Sequence, residues 1–280
     1  MAVLPTAGQT GQSLARSGAV VVLTRSPPLW TESLNALRIL FWLLLCFTFY
    51  RPTLALEKLE IQPLTGDFYI FTTYKMLDGE PFPSNGLYLV TASGIVMIDT
   101  PWDVEQTIPL LEQLQQRHGK KVVMCLVTHF HDDRTAGLGI LNSRQIMTYS
   151  SKQTGQLCRT RKEKEAAFQF DGDTSFTLAG VTLEVYYPGP GHSKDNLVIW
   201  FPQARILYGG CLVKSGTAIG LGNVADADLG QWPVSIQKVI DRFPQPAFVI
   251  PGHGNWSDGQ GLQRTLQLLR EQASKKPVRW

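Results

Sequence analysis

From Leu59 onward the chain alternates short apolar runs with turn residues. Leu59-Glu60-Ile61, Phe68–Phe71, Leu87–Val90 and Ile95–Ile98 are separated by Gly, Asp, Asn and Ser, which predicts consecutive antiparallel strands. Between the second and third runs lies Tyr74 to Asn85, holding Met76, Leu77, Pro81, Phe82 and Pro83. It reads as a loop with more apolar surface than a connector needs, suited to covering a site. Apolar residues at 104, 108, 110, 111 and 114 follow a helical stripe that ends at His118-Gly119, and Val122–Val127 is an unbroken apolar run of the kind buried strands show.

A second round follows. A helical stretch near Thr135–Leu141 and a charged segment Arg159–Glu165 precede predicted strands at Thr174–Leu178, Val181–Tyr186, Leu197–Phe201 and Arg205–Leu207. A helix near Pro233–Arg242, a strand Ala247–Ile250 and a last helix Gly261–Ser274 complete the pattern. Strands then helix, twice over, predict an α/β fold: two mixed β-sheets packed face to face with helices on the outer faces, a four-layer αβ/βα sandwich. No repeat of fixed period interrupts it.

The N-terminal part differs. Ile39–Tyr50 is an uninterrupted run of twelve apolar or aromatic residues, save one Thr, flanked by Arg38 and Arg51 and followed by Thr53-Leu54-Ala55. At about 1.5 Å per residue it reaches roughly 18 Å, short of the ~30 Å hydrocarbon core, so it reads as a secretory signal cleaved near Ala55 rather than a membrane anchor. Residues 1–55 are thus read as an N-terminal extension and signal peptide, and 56–280 as the folded domain. A periplasmic protein without stable membrane association is expected.

Charge sharpens this division. The whole chain has 26 basic and 23 acidic residues; removing the leader's four Arg and one Glu leaves 22 of each in 56–280, so the formal +3 belongs to the leader. A neutral folded part argues against a nucleic-acid partner. Of the four Cys, Cys46 leaves with the leader, and Cys125, Cys158 and Cys211 remain. Cys125 falls mid-strand, so Cys125 and Cys158 are expected to be buried or spare thiols rather than a disulfide.

Histidines concentrate where predicted strands end. After Val122–Val127 comes Thr128-His129-Phe130-His131-Asp132-Asp133-Arg134, and on an extended strand exit positions 129, 131 and 133 share one face. His192 lies in the Pro188–Ser193 turn, Cys211 follows Tyr208-Gly209-Gly210, and His253 follows Pro251-Gly252. His118, at a helix end, reads as a cation beside the dipole's negative pole and receives no functional role. The other four His, one Cys and one Asp divide into a three-His set (His129, His131, His192) and an Asp-Cys-His set (Asp133, Cys211, His253). Imidazole, thiolate and carboxylate suit zinc, with three protein ligands per ion leaving a position for water.

At these residues the chain resembles the zinc-dependent hydrolases of the metallo-β-lactamase superfamily, over essentially all of 56–280. The general pattern of that superfamily is His-x-His-x-Asp-His with a later bridging Asp. Here Arg134 replaces the last His and Cys211 stands in place of the bridging Asp, which resembles class B metallo-β-lactamases of the first subclass. The resemblance implies two Zn2+ per subunit, small-molecule β-lactam substrates (penicillins, cephalosporins and carbapenems, with little action on monobactams), hydrolysis by an activated hydroxide without an acyl-enzyme, and antibiotic resistance as the outcome. It further implies that Lys214 binds the substrate carboxylate, that Asn223 polarises the lactam carbonyl, that Asp133 orients the attacking water, and that Phe82 and Trp102 contact substrate. A monomer is expected.

Other readings fare worse. A serine β-lactamase needs Ser-x-x-Lys, Ser-Asp-Asn and Lys-Thr-Gly in order, whereas Ser235-x-x-Lys238 follows Lys214-Ser215-Gly216 and the middle motif is missing. Gly220-x-Gly222-x-x-Ala225 fits a dinucleotide fingerprint only superficially, because no clean strand precedes it and no helix opens after it. A glyoxalase II-like thioesterase of the same superfamily is the alternative, disfavoured by Arg134 and Cys211. A zinc-sequestering protein without activity is disfavoured by the open coordination positions and Lys214.

Overall fold

Four antiparallel strands open the structure, a computed structural model that describes residues 59–275. The leader, its cleavage point and Cys46 lie outside the described residues. Strands β1 (Glu60–Thr65), β2 (Phe68–Leu77), β3 (Glu80–Thr91) and β4 (Gly94–Ile98) pair in sequence order. The segment Tyr74 to Asn85 is not a loop: β2 and β3 stay paired out to Leu77↔Glu80, leaving Asp78-Gly79 as the turn. Both turn residues have positive φ, 52° and 86°. This is the backbone a tight hairpin turn demands, and Asp-Gly supplies it at little steric cost. The expected flap is therefore the tip of a stiff hairpin.

After β4 the chain changes pattern. A short 3₁₀ turn and helix α1 (Thr107–His118) lead to β5 (Val122–Leu126), parallel to β4; β6 (Met147–Ser151) and β7 (Phe168–Phe170) extend the parallel half. The first sheet thus runs β1 to β7 in order. The predicted helix near Thr135–Leu141 is split into α2 (Asp132–Thr135) and α3 (Leu138–Ser143), and helix α4 (Lys152–Arg161) takes up part of the charged segment. Strands β6 and β7 are additions to the predicted pattern; at five and three residues they carry too little alternation to stand out.

The second sheet has the order β12-β11-β10-β9-β8, built from β8 (Thr174–Leu178), β9 (Val181–Tyr186), β10 (Val198–Phe201), β11 (Ile206–Gly210) and β12 (Phe248–Pro251). Helices α5 (Trp232–Arg242) and α6 (Gly261–Ser274) cover its outer face.

Side-chain alternation builds the layers. In β3, Leu87 and Leu89 point between the sheets with Ile199 and Phe201 of β10, whereas Tyr88 joins Leu110 and Leu114 of α1 on the far side. In β10, Val198 points outward to Trp232 and Ile236 of α5. Such strands are buried on both faces, which is why they read as unbroken apolar runs. The result is the four-layer sandwich expected. Cys125, Cys158 and Cys211 are all free and buried, as expected for the first two. His118 keeps its place at the end of α1, but its Nε2 lies 2.9 Å from the Tyr88 hydroxyl. Burial pulls its pKa below the usual value, with Arg117 adding to this, so it is a neutral partner of Tyr88 rather than a cation.

Candidate metal centre and its cleft

The parallel strands end at one edge of the sandwich. Beyond β4, Asp99 accepts hydrogen bonds from the Thr128 backbone N (2.7 Å) and Oγ1 (3.0 Å) just beyond β5. That fixes the chain at the point where His129 follows. Leu197, entering β10, donates its N–H to Thr128 O at 2.9 Å, which brings the second sheet and the His192 turn to the same edge. His129 Nε2 lies 3.1 Å from His131 Nδ1, which in turn lies 3.0 Å from His192 Nε2. Three imidazoles from two sheets therefore point nitrogen atoms at one spot.

Asp133 departs from the predicted arrangement. The chain turns into helix α2 at Asp132, so position 133 no longer alternates with 129 and 131 as on a strand. Its Oδ2 lies 3.0 Å from His253 Nε2 and 3.1 Å from Cys211 Sγ, and Sγ lies 3.2 Å from the same His253 nitrogen. Its Oδ1 faces His129 Nε2 at 3.8 Å. The carboxylate thus stands between the two sets. His253 is turned into place by the hairpin: its Nδ1 donates to Pro83 O at 2.8 Å, leaving Nε2 bare toward Asp133 and Cys211.

Beneath the second set lies Arg134, fully buried. Its guanidinium donates to Asn85 O (2.6 Å), Gly252 O (2.8 Å), Cys211 Sγ (3.0 Å), Asp133 Oδ2 (3.0 Å) and Tyr208 Oη (3.2 Å). Asp99 Oδ2 is 3.5 Å away and also accepts from Tyr208 Oη at 2.8 Å. Such a saturated cation has no lone pair to offer a metal. Gly252 is required here: a Cβ would come within 2.7 Å of the N and Sγ of Cys211 and 2.8 Å of Arg134 Nη2.

Burial dominates the electrostatics. It lowers the pKa of His129, His192 and His253, each of which is therefore neutral and able to donate a lone pair. It also presses the Asp133 pKa upward, but the Arg134 guanidinium outweighs that and holds the carboxyl well below its usual value. Burial raises the Cys211 thiol pKa, opposed by Arg134. Asp99 is raised to about 6 by its burial, again opposed by Arg134.

The donors fit a metal. Ligand nitrogens about 2.0 Å from a tetrahedral ion are spaced about 3.3 Å apart, close to the spacings within each set. The Asp133 Oδ1 atom is buried and has no hydrogen-bond partner among the described residues, an arrangement that costs free energy unless a cation or water completes it. His129, His192 and Cys211, and His129, His131 and Asp133, also form groups whose donor atoms lie within 4.8 Å of one another. The six donors are one continuous cluster.

Over the cluster lies a cleft of about 590 Å³ whose lining includes Phe82, Trp102, Lys214, Asn223 and Asp226. This is ample for a drug-sized ligand. Lys214 is 9% exposed with Nζ 5.2 Å from the Trp232 ring centroid, and burial lowers its pKa. The Oδ1 of Asn223 accepts from Ala225 N at 3.0 Å, so its amide NH2 remains to serve a ligand. The ring of Phe82 lies 6.0 Å from Trp102 and 5.3 Å from His253. Across the hairpin from Phe82 is Lys75, ion-paired with Asp132 at 2.9 Å, while Trp102 Nε1 donates to the same carboxylate at 3.1 Å. Leu77 lines the cleft, whereas Met76 is an exposed neighbour on the hairpin.

Eight of the ten residues singled out from the sequence line one cleft, and the other two, His129 and Cys211, lie in the donor cluster beneath it. Sequence reasoning noted Arg134 only as a departure from a pattern, and it passed over Asn85, Asp99, Tyr208 and Asp226. Their partners are distant in the chain, and only Asp99, the acid ending an apolar run, carried any local signal.

The metallo-β-lactamase superfamily model matches residues 79–253. A metallo-β-lactamase type 2 of Elizabethkingia meningoseptica is 37% identical over 219 residues, covering 78% of this chain and 88% of that one. Its counterpart in Bacillus cereus is 38% identical over 212 residues, 76% and 83% of the two chains. Among solved structures, the metallo-β-lactamase from Pontibacter korlensis is similar with a TM-score of 0.74 and 40% identity, over 76% of this chain and 99% of that one. With sequence, fold and cluster in agreement, the chain belongs to the metallo-β-lactamase superfamily.

Proposed function

We propose that this protein hydrolyses the amide bond of β-lactams, as a class B enzyme of the first subclass, with one zinc ion held by His129, His131 and His192 and a second by Asp133, Cys211 and His253. The observation that carries the reading is the convergence of these six donors in two adjoining sets at the floor of a cleft flanked by Lys214. Zinc, when bound, supplies a Lewis acid and lowers the pKa of a bound water to about 7.

The chain's own groups do the rest. Asp133 Oδ1, otherwise without a partner, faces the space between the sets and is placed to accept a hydrogen bond from the attacking water. The Lys214 ammonium meets the substrate carboxylate in a setting where little water competes. The Asn223 NH2 donates to the lactam carbonyl as negative charge gathers on it. Phe82 and Trp102 give apolar contact to the substrate body and exclude water. Arg134 favours this over thioester hydrolysis of the usual superfamily type, because a fully engaged cation stands where that type has a ligand His.

Purified protein with two equivalents of zinc should hydrolyse a penicillin, a cephalosporin and a carbapenem, spare a monobactam, and stop when a chelator is added. Thioester hydrolysis without turnover of any β-lactam would overturn the reading. The composition of the leader further supports export to the periplasm after cleavage near Ala55, and a monomer is expected there. N-terminal sequencing of the periplasmic form and its elution volume test both points.

A further inference from the structure

The three imidazoles are not held alike. His129 and His192 are 1% and 6% exposed and are locked by packing, the latter with its ring 5.8 Å from Trp232. His131 has a side chain 17% exposed at the cleft wall. Behind it stands Asp226, from the chain between β11 and α5, with Oδ2 3.1 Å from His131 Nε2. A carboxylate accepts, so that nitrogen carries the proton and Nδ1 is left bare toward His129 and His192. The other oxygen of Asp226 is ion-paired with Arg161, the last residue of α4. The Arg161 guanidinium also lies 5.4 Å from the centroid of the Phe130 ring, which itself lies 4.4 Å from the His131 ring. Asp226 is only three residues from Asn223, so the same ion pair ties the segment carrying Asn223 to α4.

We infer that Arg161 is a positioning residue: acting through Asp226, it holds His131 with Nδ1 aimed at the metal position of the three-imidazole set. The inference rests on the metal assignment above. Groups that back a metal-bound His set its tautomer and ring direction, and their loss costs about 10–100-fold in metal affinity. An exposed ion pair one step further out is worth about two- to fivefold.

Cobalt(II) titration of the full chain separates the two sets, because absorption from cobalt–thiolate charge transfer reports only the set with Cys211. Asp226→Asn should weaken cobalt at the three-imidazole set by about 10–100-fold, and Arg161→Ala by about two- to fivefold, with the thiolate band titrating as in the native chain. Arg161→Lys should restore most of the loss, and Arg161→Ala should add nothing in the Asp226→Asn background. An unchanged affinity in Arg161→Ala, an equal further loss in the double variant, or equal weakening of the thiolate band would each overturn the inference. A native chain that binds no cobalt would instead overturn the metal assignment on which it rests.

Discussion

The two donor sets lie side by side yet are organised by opposite means. Of the three imidazoles, His129 and His192 are neutral groups fixed by packing near strand ends, whereas His131 is backed by the partly exposed pair Asp226 and Arg161. The Asp-Cys-His set is gathered around a fully buried guanidinium that contacts Asp133 and Cys211, with His253 Nε2 3.4 Å away. Imidazoles carry no obligatory charge, so such a set needs no buried countercharge at its centre. A set that contains an ionised carboxylate does need one, since burying a charge costs several kcal/mol unless a cation compensates it. In this chain Arg134 supplies that compensation.

Removing the compensation should have the largest effect. Arg134→Ala leaves Asp99 and Asp133 buried without their cation and should destabilise the fold by about 3–5 kcal/mol, read from denaturant unfolding. A loss below about 1 kcal/mol, the size of an exposed pair, would break the contrast. Cys211→Ser should come next: affinity for the second metal should fall by more than the about 100-fold seen for outer partners, while the three-imidazole set still loads. Metal content per chain, by mass spectrometry, should drop from two ions to one, and loss of both would show that the sets are not separable.

Gly252→Ala should follow, at about 1–3 kcal/mol, because the added methyl meets Cys211 and Arg134 at distances below contact. Its damage should fall on the second set alone, and equal damage to both would blunt the distinction. The fifth histidine provides the smallest effect and the control. His118→Phe should leave metal content unchanged. The folded pKa of His118 lies below 6.5, so its unfolded form binds a proton more readily. Its contribution to stability is therefore present above pH 6.5 and lost as the pH falls from there through the lower folded pKa. The variant should be less sensitive to acid over that range, and an identical pH profile would remove His118 from the account.

Much of this was legible in the chain, for local reasons. Ile95–Ile98, Val122–Leu126 and Val198–Phe201 are buried on both faces and so appear as apolar runs, and each donor lies just beyond or before such a run. The hairpin Phe68–Thr91 was harder, since Pro81 and Pro83 suggest a loop while the Asp78-Gly79 turn signal is only two residues long. Strand alternation placed Asp133 on one face with His129 and His131, but the helical turn at Asp132 replaces that geometry and lays its Oδ2 against His253 and Cys211.

By itself the sequence determined which donors exist, their order, and their placement at element ends, because strand periodicity and turn chemistry act over a few residues. Only the tertiary structure decided how they group. Asn85, Asp99, Arg134, Tyr208 and Gly252 are separated by long stretches of chain and meet because two sheets pack face to face. The same holds for Arg161, Asp226 and His131. A buried charge is tolerable only where several partners converge on it, and that convergence is a property of the packed layers that no short window of residues carries.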